Sequence, residues 1–535
     1  GRRRRPLCDR RDGDRLGADP SAPAAEELTV PLAEYAALDG LGLADLVRRG
    51  QVTPRELLEE AITRTERVNP RVGAVVARHY DRARRDADAL PPSDGAFRGV
   101  PMLIKDLDAA IAGVPLTAAS RLLADYRPAR DATLVERFRR AGTVIFGKSN
   151  LPEFGITPFT ESKLFGPARN PWDLDRTPGG SSGGAAAAVA AGILPLAHAS
   201  DGGGSIRIPA SCCGLFGLKP SRGRMPVGPD DTQLWSGFAI AHVVSRSVRD
   251  SAAMLDALAG PELTSPYWAP PAARPFLSEV GAPPGRLRIA LTKRPFLTTI
   301  APHADCAAAA DDAGRLLADL GHDVEERDHA VDGDTFAREL FVLVCVEIAA
   351  ILARAEARVG RRLRRGEIET NTALTGIIGR QQSAVRATMA RRSLETAVRA
   401  AQVGYEKFDL VLTPTLGMPP VEIGALVPHG VEAFAHDMVV ALHLGFLLRL
   451  PGVIEAAVRR VFAFIPYTPL ANISGEPAMS VPLSWSAAGL PIGVQLSARL
   501  GGEATLFRVA SQLEAARPWA ARRPPVHADA TTATA

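Results

Sequence analysis

The sequence predicts an α/β fold: a single large domain with a central mixed, mostly parallel twisted sheet covered by helices on both faces. Three observations predict it. Short apolar runs alternate with longer amphipathic ones along most of the chain, the order that gives a sheet clad in helices. The chain, at 535 residues, is well past the length at which a large core is buried. Its 46% hydrophobic and 23% charged residues are the balance of an ordinary globular protein.

Taken in order, residues 1–27 carry an arginine run and almost nothing apolar, so they read as a disordered arm. No apolar stretch follows the arginines, which excludes a secretory signal; a short nucleic-acid-binding arm is the sharper alternative. Residues 28–525 read as the folded domain, with its chemistry in about 95–260, and 526–535 as a disordered tail. Leu41–Val68 reads as two amphipathic helices. Thr53-Pro54-Arg55-Glu56 supplies a capping box with proline at the first helical position, and Asn69-Pro70 ends the second helix. A short strand at Val72–Val76 and a charged helix to Leu90 follow.

Gly99–Asp106 is an apolar strand that ends in Lys105. A lysine there is unfavourable unless it is paired or neutral, and a pair with Asp106 or a side chain reaching water is the simpler account of it. Asp131–Ala141 reads as a helix and Thr143–Phe146 as a strand, followed by Gly147-Lys148-Ser149-Asn150. That tetrapeptide is not a P-loop, because no glycine pattern precedes it.

From Pro178 to Pro220 the chain holds two glycine-framed serines, GGSSGG at Gly179–Gly184 and DGGGS at Asp201–Ser205. Glycine brackets a serine where the backbone bends sharply or must come close to a ligand, so two such sites point to chemistry on a hydroxyl. The run Ala185–Ala191 between them reads as a helix that fixes their separation. Beyond it, helices are expected at Arg246–Leu258, Cys306–Leu320, Phe336–Arg365 and Leu374–Tyr405. Strands are expected at Leu287–Lys293, Asp323–Arg327 and Asp409–Thr415, and Gly260–Pro284 is a proline-rich connection. The longest apolar run, Met438–Leu450, contains His443 and Arg449 and is too short to span a membrane.

The 63 basic and 59 acidic residues are interspersed, and no basic face argues for nucleic acid. Five cysteines, an odd count without metal-ligand spacing, suit a reducing cytoplasm, and no metal or redox role is expected of them. Adjacent Cys212 and Cys213 read as small core fillers.

GGSSGG, an Ala/Val helix, D-x-G-G-S-[IV]-R-x-P-A and G-x-K-P together resemble the amidase signature family, whose members hydrolyse amides with a Ser–Ser–Lys triad. The resemblance spans about Leu41 to Trp519 and implies Ser205 as nucleophile, Ser181 as a bridging serine carrying a cis peptide bond, and Lys105 as base. The spacings, 76 residues from Lys105 to Ser181 and 24 on to Ser205, fit the family. The N–H groups of Gly202, Gly203 and Gly204, with that of Ser205, are expected to converge as an oxyanion hole. Ser182, Asp201 and Arg207 would brace the loop, with Asn150 and Glu153 as nearby structural support. For Lys105 to act as a base it must start neutral, so Asp106 must point elsewhere. His198, on the approach to the loop, reads as a packed, hydrogen-bonded residue.

Within the family, Ala-Arg-Asn-Pro-Trp-Asp at 168–173, Leu-Ala-His-Ala-Ser-Asp at 196–201 and Pro518–Pro524 resemble the nylon-oligomer amidases, the 6-aminohexanoate cyclic dimer hydrolases. That subgroup has a cysteine near its substrate where Cys345 falls, although a buried helix cysteine accounts for it equally. Residues 424–461 match least and are expected to face the substrate as a variable insertion. The implied partner is a small-molecule amide, with no cofactor, no metal and no membrane, and a homodimer is expected. Alternatives are the amidase subunit of a tRNA-dependent amidotransferase, a serine esterase with the same triad, and an inactive binding protein on the same fold.

Overall fold

The computed structural model describes residues 34–442, 444–449 and 455–530. The arm expected at 1–27 and the last five residues of the tail lie outside them. Glu34 to Ala530 of the described chain fall in one compact unit.

Gly40–Arg48 and Pro54–Val72 are the two expected helices, and the Thr53–Glu56 capping box is formed in both directions. The second runs past Pro70 rather than stopping before it. Its end is set instead by Gly73 in the left-handed conformation, whose N–H reaches Asn69 O at 2.8 Å.

Two sheets meet at the site. The smaller has Val144–Ser149 at its centre, flanked by Val75–Arg78 antiparallel and Pro101–Lys105 parallel. The larger has eight strands in the spatial order Asp323–Glu326, Arg288–Leu291, Leu410–Pro414, Pro491–Ala498, Ala478–Trp485, Phe216–Lys219, Ile240–Ser245 and Leu196–Asp201. It is mixed and helix-covered, as expected, but not mostly parallel. Of its seven neighbour pairings only the two made by Arg288–Leu291 are parallel. The reason lies in the connections. Arg288–Leu291 and Asp323–Glu326 are joined through the helix Ala304–Asp319, a crossover that returns the chain in the same direction. Ala478–Trp485 and Pro491–Ala498 are joined by a short turn, which reverses it.

Leu374–Tyr405 is two helices, Thr370–Arg380 and Ala384–Gly404. The break falls where the Ser383 side chain caps the second by accepting from Arg386 N. The expected tail at 526–535 is ordered through residue 530: Val526 and Ala528 are buried, and Ala528 N bonds Ala191 O at 2.9 Å.

The Ala-rich helix Gly183–Ala190 is buried at every residue. A Cβ on Gly184 would lie 2.3 Å from Asn150 N, so glycine there lets the helix start lie directly on the smaller sheet. This helix and the strand Leu196–Asp201 after it carry the two serine sites into one place.

Candidate active site

Pro101–Lys105 is buried along its whole length, and its register sets Lys105 opposite Ser149. Lys105 Nζ lies 2.8 Å from Ser181 Oγ and 3.1 Å from Ser200 Oγ. The Gly180–Ser181 peptide is cis, as the resemblance implies. Burial drives the Lys105 amine down to about 8, against the opposing pull of the Asp108 and Asp201 carboxylates. Asp106 does point elsewhere: it accepts from Lys148 Nζ at 2.9 Å and from Thr117. Lys148, from the tetrapeptide that is not a P-loop, therefore holds the neighbouring carboxylate away from Lys105.

His198 packs edge-on to Phe138, and its Nδ1 accepts from Lys105 N at 3.1 Å. Burial lowers this imidazole to about 4, so it is neutral with its proton on Nε2. It fixes the Lys105 backbone and is otherwise a packed residue, as expected.

The loop before Ser205 is built around a buried ion pair. Arg207 Nε and Nη2 each lie 3.0 Å from a different oxygen of Asp201. Arg207 also donates to Asn472 Oδ1 at 2.7 Å, Gln495 Oε1 at 2.6 Å and Thr468 O at 2.8 Å. Burial alone would raise Asp201, but Arg207 and Asn472 carry it down to about 2. Ser182 Oγ donates to Ser200 O at 3.2 Å and receives Ser200 N at 3.3 Å, clipping the two serine loops together.

Gly204 differs from its expected place. Its N–H goes to Asp201 Oδ1 at 2.7 Å, back into the loop, and its φ is 129°. Gly202, Gly203, Ser205, Ser181 and Ser200 line a cavity of about 530 Å³, and Gly204 does not. Cys345 does not line it either. It is fully buried, packed behind Leu374 and Ile378, which do line the cavity, and burial pushes its thiol up. In the described part of 424–461, His436, Val458 and Val461 do line the cavity.

Asn150 Nδ2 bonds Gly73 O and Gly166 O, and Glu153 Oε2 accepts from Glu369 N at 2.8 Å, so both brace the surroundings. Sequence reasoning missed four contributors: Ser200 on Lys105, and Thr468, Asn472 and Gln495 on the loop. Nothing local tied Asn472 and Gln495 to a loop more than 260 residues away. Cys212 and Cys213 are buried fillers, and among the described residues no helix is long and apolar enough to cross a membrane.

Comparison with known proteins points to one family. The family model described as Amidase matches residues 56–507. A 6-aminohexanoate-cyclic-dimer hydrolase of Pseudomonas sp. (strain NK87) is 37% identical over 494 residues, 91% of this chain and 96% of that protein. A putative amidase AmiB2 of Mycobacterium tuberculosis (strain ATCC 25618 / H37Rv) is 40% identical over 499 residues, 90% of this chain and 97% of the relative. A solved structure of 6-aminohexanoate cyclic dimer hydrolase complexed with substrate superposes with a TM-score of 0.82 at 36% identity, covering 92% of this chain and 99% of its own. With the motifs, the fold and these relatives in agreement, the chain belongs to the amidase family and is an amide-hydrolysing enzyme of the amidase signature type.

Proposed function

We propose that the chain hydrolyses carboxylic amides through a serine acyl-enzyme, with 6-aminohexanoate oligomers or similar linear and cyclic amides as its substrates. The observation that carries the reading is the 2.8 Å contact between the buried Lys105 amine and Ser181, on the wall of the cavity that Ser205 also lines. In its neutral form the amine accepts the Ser181 proton, and Ser181 takes that of Ser205. Ser205 Oγ attacks the amide carbon. The N–H groups of Gly202 and Gly203 receive the developing oxyanion, while Gly204 holds the loop. The proton returns along the same path to the leaving nitrogen, and water then releases the acid. The cavity volume suits a small molecule, and the relatives' names support the substrate class. The four cysteines among the described residues are buried and unpaired, which fits a reducing cytoplasm.

Ser205→Ala is expected to lower turnover of a simple aryl amide by at least about 10³-fold with the fold retained. Mass analysis of quenched wild-type enzyme is expected to find the acyl group on the Ser205 peptide. Wild-type-like turnover in the variant, or an acyl group on another residue, would refute the reading.

A further inference from the structure

The long helix Gly333–Val359 forms one side of the cavity, and Val344, Glu347, Ile351, Arg354 and Arg358 all line it from a single helical face. Glu347 is the anomaly on that face. Its neighbours there, Val344 and Ile351, pack with Leu107, Phe154 and Ile156 into an apolar cluster. The other charges on this side of the cavity have partners. Arg354 pairs with Asp231, Asp230 with Arg130, and Arg358 lies over the Tyr126 ring at 5.5 Å. Glu347 forms no ion pair among the described residues. It accepts a hydrogen bond from Ser236 Oγ.

That donor is itself held in an unusual way. Trp235 and Ser236 are successive non-glycine residues with φ of 49° and 50°, a conformation such side chains seldom adopt. Both line the cavity. The turn thus presents a hydroxyl to one oxygen of a carboxylate whose other oxygen has no partner among the described residues. Arg354 and Arg358 lie about 10 Å and 16 Å farther along the helix axis and are exposed, so the helix's cavity face runs from an anion to cations.

We propose that Glu347 selects amides that carry a protonated amino group, the carboxylate receiving the ammonium while the scissile carbonyl lies at Ser205. The inference rests on the amide-hydrolase reading above and adds the feature of the substrate that the cavity recognises. A charge-assisted hydrogen bond in a partly desolvated wall discriminates strongly, because an uncharged isostere leaves the carboxylate unpaired. Linear ω-amino amides are then favoured over neutral cyclic ones.

The test uses two pairs of amides. One pair is the 6-aminohexanoyl and heptanoyl 4-nitroanilides, with the amino group on the acyl side. The other is N-(6-aminohexyl)hexanamide and N-heptylhexanamide, with it on the leaving side. Glu347→Gln is expected to reduce the preference for the amino member of at least one pair by about tenfold or more, through KM, and to leave the uncharged members within about twofold. Equilibrium binding of the same amines to Ser205→Ala is expected to weaken by a similar factor when Glu347→Gln is added. An unchanged preference in both pairs, or an equal fall for charged and uncharged members, would overturn the proposal. Should wild-type enzyme cleave none of the four, the amide-hydrolase reading fails, and the binding comparison still decides the role of Glu347.

Discussion

The Gly204 amide donates to the Asp201 carboxylate at 2.7 Å, so the residue directly before Ser205 spends its N–H inside its own loop. The loop is therefore shaped by a buried anion, leaving Gly202 and Gly203 to face the cavity. Gly203 and Gly204 should respond differently to a methyl group. A Cβ on Gly204 would meet Thr468 Oγ1 at 2.3 Å, at a φ that L side chains avoid, whereas a Cβ on Gly203 has nothing within 4 Å. Gly204→Ala is expected to lower amide turnover by about 10²-fold or more and to depress Tm. Gly203→Ala should leave Tm unchanged, with any loss confined to kinetics. Calorimetry of both variants beside aryl-amide kinetics checks this.

Arg207 is the second element of that frame. It is fully buried, and removing it leaves Asp201 charged in the core with only Asn472 and backbone donors. Arg207→Met is expected to destabilise the protein by about 3–5 kcal/mol, the usual effect of breaking one side of a buried pair. Asn472→Ala should weaken it by about 1–3 kcal/mol, since the charge keeps its main partner. Denaturant titration separates the two, and equal effects would mean that the ion pair is not the principal restraint.

Lys219 is fully buried and has one hydrogen bond, to Pro220 O. Burial, aided by Arg207, lowers it to about 7 from 10.5, against the pull of Asp201. Below about 7 both the folded and unfolded chains hold the proton, and the folded state carries the full burden of a buried charge. Between about 7 and 10.5 the unfolded chain keeps the proton that the folded one has lost, so stability rises with pH. Lys219→Met removes this contribution, and the slope from Lys105 cancels in the comparison. The variant is expected to gain on wild type by a few kcal/mol near pH 7, with the difference shrinking towards pH 10.5. A difference that widens with pH would contradict the account.

Much of the site was legible because its signals are local. Glycines framing serines, an alanine helix of fixed length and a lysine ending an apolar strand are visible in short windows. They carry the family resemblance that implies Lys105, Ser181 and Ser205, and the Lys105–Ser181 contact has the distance that proton transfer needs. The direction of the Gly204 amide was not legible, because it depends on the backbone dihedrals of the loop, and one glycine looks like the next. Nor was the face on which Cys345 lies. Two positions along the same helix separate it from Glu347, and that rotation takes one side chain into the wall and the other to the cavity. Strand direction in the larger sheet was lost for a similar reason. An apolar run reads alike in either sense, and only the connection lengths distinguish a crossover from a hairpin.

The central claim is that Lys105 acts as a buried, neutral amine. Its most direct test is the pH dependence of kcat/KM for an uncharged aryl amide between about pH 6 and 11, the range that brackets the free-lysine value. Because the deprotonated amine is the active form, the rate should rise through about 8 and level off before 10.5. A rate that is flat from pH 7 to 9, or still climbing past 10.5, would contradict it.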